Sequence, residues 1–94
     1  MYNYSGWISE TNPNEITSYF ESLLKESGFK VLKQTEHHFD PFGYTGLWLL
    51  SESHFAVHTF PEENKSYIEL SSCVKSFYDN FLESFTNYQK ILNN

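Results

Sequence analysis

Side chains able to do chemistry crowd into residues 37–73 of this 94-residue chain. His37 and His38 precede Phe39-Asp40-Pro41-Phe42-Gly43-Tyr44-Thr45-Gly46. Ser51-Glu52-Ser53-His54 follows, then Val57-His58-Thr59-Phe60-Pro61-Glu62, and finally Cys73. Residue types alone suggest two chemistries. His37, His38, His54 and His58 could hold a metal, and the last two stand at the i, i+4 spacing of one helix face. Phe55, Val57, Thr59 and Phe60 around them favour a strand, where that spacing spans about 13 Å. No metal site is therefore expected. Cys73 with His58 could form a nucleophile–base pair, although a lone cysteine serves equally as a small buried hydrophobe. Ser51-Glu52-Ser53, taken by itself, reads as a polar hairpin turn.

The elements that must position these residues can be read from periodicity. Residues 2–9 are rich in aromatics and predict a first strand. Asn12 before Pro13 predicts a helix start. Ile16, Tyr19, Phe20, Leu23 and Leu24 form one apolar stripe, and Gly28 ends it. Strands are expected over 29–35, 47–50, 55–60 and 67–71, with Asp40–Gly43 as a loop and Glu62–Ser66 as a polar connection. A last helix carries Phe77, Phe81, Phe85, Tyr88 and Leu92, with Ser76 and Asp79 as a capping pair. The order strand, helix, strands, helix predicts an α+β fold: one largely antiparallel sheet with both helices on one face. Leu47, Trp48, Leu49 and Leu50 are consecutive, so alternation puts two on each face. The face without helices would then expose apolar side chains, which predicts a homodimer.

Composition narrows the partners. The chain carries six basic residues, all Lys, against twelve acidic ones, a formal charge of −6. That balance, without Arg to grip phosphates, argues against nucleic acid and against an anionic membrane surface. Hydrophobics at 39% and aromatics at 19% exclude a disordered chain. No apolar run approaches the roughly 20 residues of a membrane span, and Met1-Tyr2-Asn3-Tyr4 lacks a signal peptide's basic and apolar regions. One cysteine cannot form an internal disulfide. A cytoplasmic protein with a reduced thiol, folded as one domain over 1–94, is the expectation.

The same segment resembles the small prokaryotic S-adenosylmethionine decarboxylase family. The resemblance lies in Phe39, Pro41, Gly43, Thr45 and Gly46, in Leu49-Leu50-Ser51-Glu52-Ser53-His54, in Val57-His58-Thr59-Phe60-Pro61-Glu62, and in Cys73, twenty residues after Ser53. Val74 departs from the family's usual Gly after the Cys. The resemblance implies a two-layer α/β sandwich that pairs through its sheets into a dimer. It implies self-cleavage between Glu52 and Ser53 that turns Ser53 into a pyruvoyl cofactor, whose ketone condenses with the substrate amine as a Schiff base before CO₂ leaves. His58 would act in processing, Thr45 would supply a hydroxyl to the processing intermediate, and Cys73 would return a proton to the substrate carbon. Phe39 would stack on the adenine of S-adenosylmethionine, Phe60 would be the family's aromatic before Pro-Glu, and Glu62 would accept hydrogen bonds from the ribose hydroxyls; the adenine and the sulfonium both suit aromatic faces. The product would feed polyamine synthesis. Other functions open to such a chain are decarboxylation of another amino acid such as ornithine or arginine, cleavage of S-adenosylmethionine or a derivative, and a non-catalytic role without processing.

Overall fold

The computed structural model describes residues 1–92, with side chains through Gln89. Its elements are β1 (Tyr2–Ile8), α1 (Pro13–Ser27), β2 (Val31–His38), β3 (Tyr44–Leu50), β4 (Ser53–Phe60), a 3-10 turn at Pro61–Glu63, β5 (Lys65–Ser72) and α2 (Lys75–Leu92). The five strands form one sheet in the order β1-β5-β4-β3-β2, antiparallel throughout. Strands β2 to β5 run as a meander, and α1 carries the chain from the β1 edge to the β2 edge.

Local chemistry sets the helix ends. Asn12 Oδ1 accepts hydrogen bonds from the Asn14 and Glu15 amides at 2.9 and 3.1 Å, with Pro13 in the first turn. Gly28 closes α1 at φ 114°, a left-handed value that a Cβ would oppose. The start of α2 differs from expectation. Ser76 lies inside the helix, and Asp79 pairs with Lys75 Nζ at 2.7 Å instead of capping with Ser76. The amide of Val74 is held by Ser72 Oγ at 3.0 Å, so the serine that ends β5 leads into the helix. Leu92 lies in α2 by its backbone, and its side chain falls outside the described residues.

Both helices cover one face of the sheet, as the two apolar stripes require. The core joins Ile16, Phe20, Leu23 and Leu24 of α1 and Phe81 and Phe85 of α2 to the inward row Trp48, Leu50, Phe55, Val57, Ile68 and Leu70. Phe20 makes ring contacts with Phe55, Phe81 and Phe85 at centroid distances of 4.8, 6.3 and 6.0 Å. The opposite face carries Trp7, Leu47 and Leu49, all exposed. The Leu47–Leu50 run therefore divides by alternation, with Trp48 and Leu50 buried.

Strand bounds differ from those the periodicity suggests: β1 ends one residue early, β2 starts two residues late, and the others run longer. β2 begins at Val31 and extends through His37 and His38, because those residues pair with Thr45 and Tyr44. β3 begins at Tyr44 and β4 already at Ser53, leaving only Ser51 and Glu52 as the turn between them.

Candidate active site

Two clusters of side chains sit near opposite ends of the β3–β4 hairpin. At the open end, the loop after β2 contains a cis Asp40–Pro41 bond and returns at Gly43, φ 111°. The Phe39 amide donates to the Gly43 carbonyl at 2.8 Å and closes the loop. This loop walls a cleft of about 340 Å³ with Phe39, Phe42, Thr45, His58, Phe60 and Glu62 at its edges. Five residues marked by the sequence, Phe39, Thr45, His58, Phe60 and Glu62, thus line one space. Phe42 joins them, although the motif leaves its position open.

Thr45 and His58 are directly opposite in the β3–β4 register, on the sheet face without helices. Their side chains meet at 2.9 Å between Oγ1 and Nδ1, so the ring is held by a hydroxyl. Tyr67 of β5 lies on the far side of His58, with ring centroids 6.4 Å apart. Phe60 packs on Trp7 at 5.9 Å and His37 packs edge-on against Phe39 at 4.5 Å. Behind the cleft, the buried Tyr44 hydroxyl donates to Glu36 Oε2 at 2.6 Å and lies 3.1 Å from Thr17 Oγ1. That hydrogen bond is the main force holding the Glu36 carboxyl below its ordinary range, and burial pushes the Tyr44 phenol up.

The closed end of the hairpin holds the other cluster. Glu52 has φ 61°, a left-handed backbone costing a residue with a Cβ about 1–2 kcal/mol. The turn is tied to the start of β2 by the Ser51 amide, which donates to the Lys30 carbonyl at 3.0 Å. Ser53 follows with its side chain buried. Its Oγ donates to Ser72 Oγ at 3.4 Å and accepts from the Cys73 amide at 3.3 Å. Cys73 itself is exposed, with Sγ 3.1 Å from Met1 Sδ.

The structure brings Ser53 next to Cys73, and Thr45 next to His58, and keeps the two pairs apart within one chain. Ser53 and His58 are five residues apart on β4, so they lie about 16 Å apart along the strand and on opposite faces. His54 and His58 are both strand residues, and His54 pairs with Leu49 and Ser71 across the sheet. Among the described residues, no group of three or more His, Cys, Asp or Glu side chains is arranged to hold a metal ion. No helix among them is long and apolar enough to cross a membrane. Sequence reasoning missed two residues of these clusters: Phe42, which fills an unconstrained motif position, and Ser72, which lies one residue beyond the strand expected over 67–71 and closes β5 in the structure.

Comparison with known proteins gives a consistent answer. The sequence profile of the S-adenosylmethionine decarboxylase family matches residues 8–90. S-adenosylmethionine decarboxylase proenzyme 2 of Bacillus cereus is 47% identical over 47 residues, 50% of this chain and 38% of that protein. The S-adenosylmethionine decarboxylase proenzyme of Acidithiobacillus ferrooxidans is 31% identical over 58 residues, 62% of this chain and 44% of that protein. The aligned stretch thus spans less than half the length of these curated relatives. The crystal structure of the adenosylmethionine decarboxylase from Aquifex aeolicus superposes with a TM-score of 0.66 at 20% identity, covering 86% of this chain and 69% of that one. That last likeness concerns the fold alone.

Proposed function

The chain belongs to the S-adenosylmethionine decarboxylase family, and from that membership we propose that it decarboxylates S-adenosylmethionine after cutting itself between Glu52 and Ser53. The observation that carries this reading is the closed end of the hairpin. A serine hydroxyl, withdrawn from bulk water, follows a left-handed Glu52, and the single cysteine of the chain sits beside it. Backbone strain at the residue whose carbonyl is attacked lowers the cost of distorting that amide.

In this reading Ser53 Oγ attacks the Glu52 carbonyl carbon. The Glu52–Ser53 peptide bond becomes an ester, and the hydroxyl proton ends on the freed amine. Removal of the Ser53 α proton expels the Glu52 carboxylate and leaves a dehydroalanine, which water converts to a pyruvoyl group with release of ammonia. The buried hydroxyl beside a strained peptide bond fits the formation of that group. Once formed, it supplies the electron sink for loss of CO₂. The other residues act around it. Cys73 holds a proton for the substrate α carbon. Phe39 and Phe60 offer aromatic faces to the adenine and the sulfonium, and Glu62 accepts hydrogen bonds from the ribose. His58, oriented by Thr45, takes the Ser53 α proton. The separation of His58 from Ser53 within one chain favours a homodimer, in which the histidine serves the serine of a second copy. Residues 1–94 act together as one such domain, and the lone thiol suits the cytoplasm.

Intact mass spectrometry tests the reading. The wild-type protein is expected to resolve into residues 1–52 and 53–94, and Ser53→Ala to stay whole. A wild-type chain that remains one species after long incubation at neutral pH, and that hydroxylamine fails to split, removes its basis.

A further inference from the structure

Ser72 is the one side chain hydrogen-bonded to the Ser53 hydroxyl among the described residues, and nothing in the quoted motif marks it. The two serines face each other in the β4–β5 register. Ser72 is fully buried, and its Oγ collects three hydrogen bonds. It accepts from Ser53 Oγ at 3.4 Å and from the Val74 amide at 3.0 Å, and it donates to the Val74 carbonyl at 3.1 Å. The next amide along, that of Cys73, donates to Ser53 Oγ at 3.3 Å. One short segment, 72–74, therefore both fixes the direction of the Ser53 hydroxyl and sets where Cys73 lies.

We propose that Ser72 is a positioning residue for self-cleavage, holding the Ser53 hydroxyl in the rotamer from which it attacks the Glu52 carbonyl. This rests on the self-cleavage reading above and adds a residue to it. The physical reason is the accounting of a buried hydroxyl. Ser53 Oγ has an amide donor on one side and needs an acceptor for its own proton. Ser72 Oγ is that acceptor, and its own proton is committed to the Val74 carbonyl, so its lone pair is turned toward Ser53. With the acceptor removed, the Ser53 proton has no buried partner, and the side chain populates other staggered rotamers. The bond is long for two hydroxyls, as pre-reaction contacts in resting sites often are. The step it serves is balanced within the chain: the Ser53 Oγ–carbonyl bond forms, the Glu52–Ser53 amide bond breaks, and the proton moves from oxygen to nitrogen.

The test follows the fraction of cleaved chain with time for freshly purified wild-type, Ser72→Ala, Ser72→Thr and Ser72→Val proteins, with and without hydroxylamine. Thr and Val have similar shapes and differ in the hydroxyl, so their comparison holds even where Ala disturbs folding. Cleavage should slow by about ten-fold or more in Ala and Val, an effect of about one lost hydrogen bond in the barrier, while Thr stays close to wild type. Hydroxylamine splits the ester directly and bypasses elimination. It should therefore leave Ala and Val slow, because ester formation is the affected step. Ala and Val cleaving at the wild-type rate would overturn the role of Ser72, as would a wild-type rate restored by hydroxylamine. Failure of the self-cleavage reading looks different, since the wild-type protein itself would then stay whole.

Discussion

Phe39 and Phe42 leave about half of their surface in water, 52% and 53%, although burying such a side chain is worth about 1.5–3 kcal/mol. Both belong to the cleft wall, and among the described residues their rings form no pair with each other, whereas His37 packs on Phe39. Two half-exposed aromatic rings beside one cleft suit a planar ligand ring. Phe42→Ala is expected to raise KM for S-adenosylmethionine about 2–10-fold, the worth of one aromatic contact, and to raise it more than it lowers kcat. Phe42→Tyr, which keeps the face, should stay near wild type. Steady-state CO₂ release gives both constants, and a loss confined to kcat would remove Phe42 from the binding wall. The sequence made Phe39, Thr45, His58, Phe60 and Glu62 legible because their types recur at fixed spacing with nothing inserted. Phe42 and Ser72 escaped for a physical reason. One occupies a position that the motif leaves open. The other is a small polar residue on an inward strand position, where sequence alone does not say which hydroxyl it meets.

The elements were legible where one face is buried and one wet. Both helix stripes, the Asn12 cap and the Gly28 stop are where apolar spacing and cap chemistry place them. Strand ends were less so, because pairing, not hydrophobicity, decides them. His37, His38, Thr45 and Gly46 carry little apolar signal, yet the β2–β3 ladder runs through all four. Gly46 has a packing reason as well: an added Cβ would come within 2.9 Å of both Trp48 Cζ3 and the Tyr44 hydroxyl. The contact between helices offers its own test. Tyr19 of α1 stacks on Tyr88 of α2 with centroids 4.2 Å apart. Burial first, then Tyr88 and Glu26, push the Tyr19 phenol up from 10.0 to about 12. The folded state therefore keeps this proton where the unfolded chain, near 10.0, loses it. The resulting stabilisation is complete below pH 10 and disappears as pH rises toward 12. Denaturant unfolding followed between those limits should show wild type losing stability more steeply than Tyr19→Phe. Parallel slopes would mean that the phenol is equally solvated in both states.

For the whole molecule, the decisive feature is the face that neither helix covers. Trp7, Leu47 and Leu49 expose apolar surface there, and Thr45 and His58 lie on the same face. A contact between two identical copies is self-complementary when a two-fold axis relates them. A two-fold axis lying between two stacked sheets, parallel to their planes and perpendicular to β4, reverses the strand direction of the second copy. The His58 end of one β4 then overlies the hairpin end of the other, where Ser53 and Cys73 sit. This arrangement joins the two clusters that one chain keeps about 16 Å apart and removes the exposed leucines from water in the same step. It predicts complementation between two inactive variants. Ser53→Ala has an intact His58 and no nucleophile; His58→Ala has the nucleophile and no base. Each alone should stay whole or cleave very slowly. Co-expressed, they should form mixed dimers in which the His58→Ala chain receives histidine from its neighbour. That chain alone should then split after Glu52, giving the 1–52 and 53–94 fragments, with the Ser53→Ala chain uncut. Dilution that dissociates the dimer should suppress the effect. Cleavage of the mixture at the rate of His58→Ala alone would confine each histidine to its own chain, and the base for the Ser53 α proton would then have to come from the hairpin end itself.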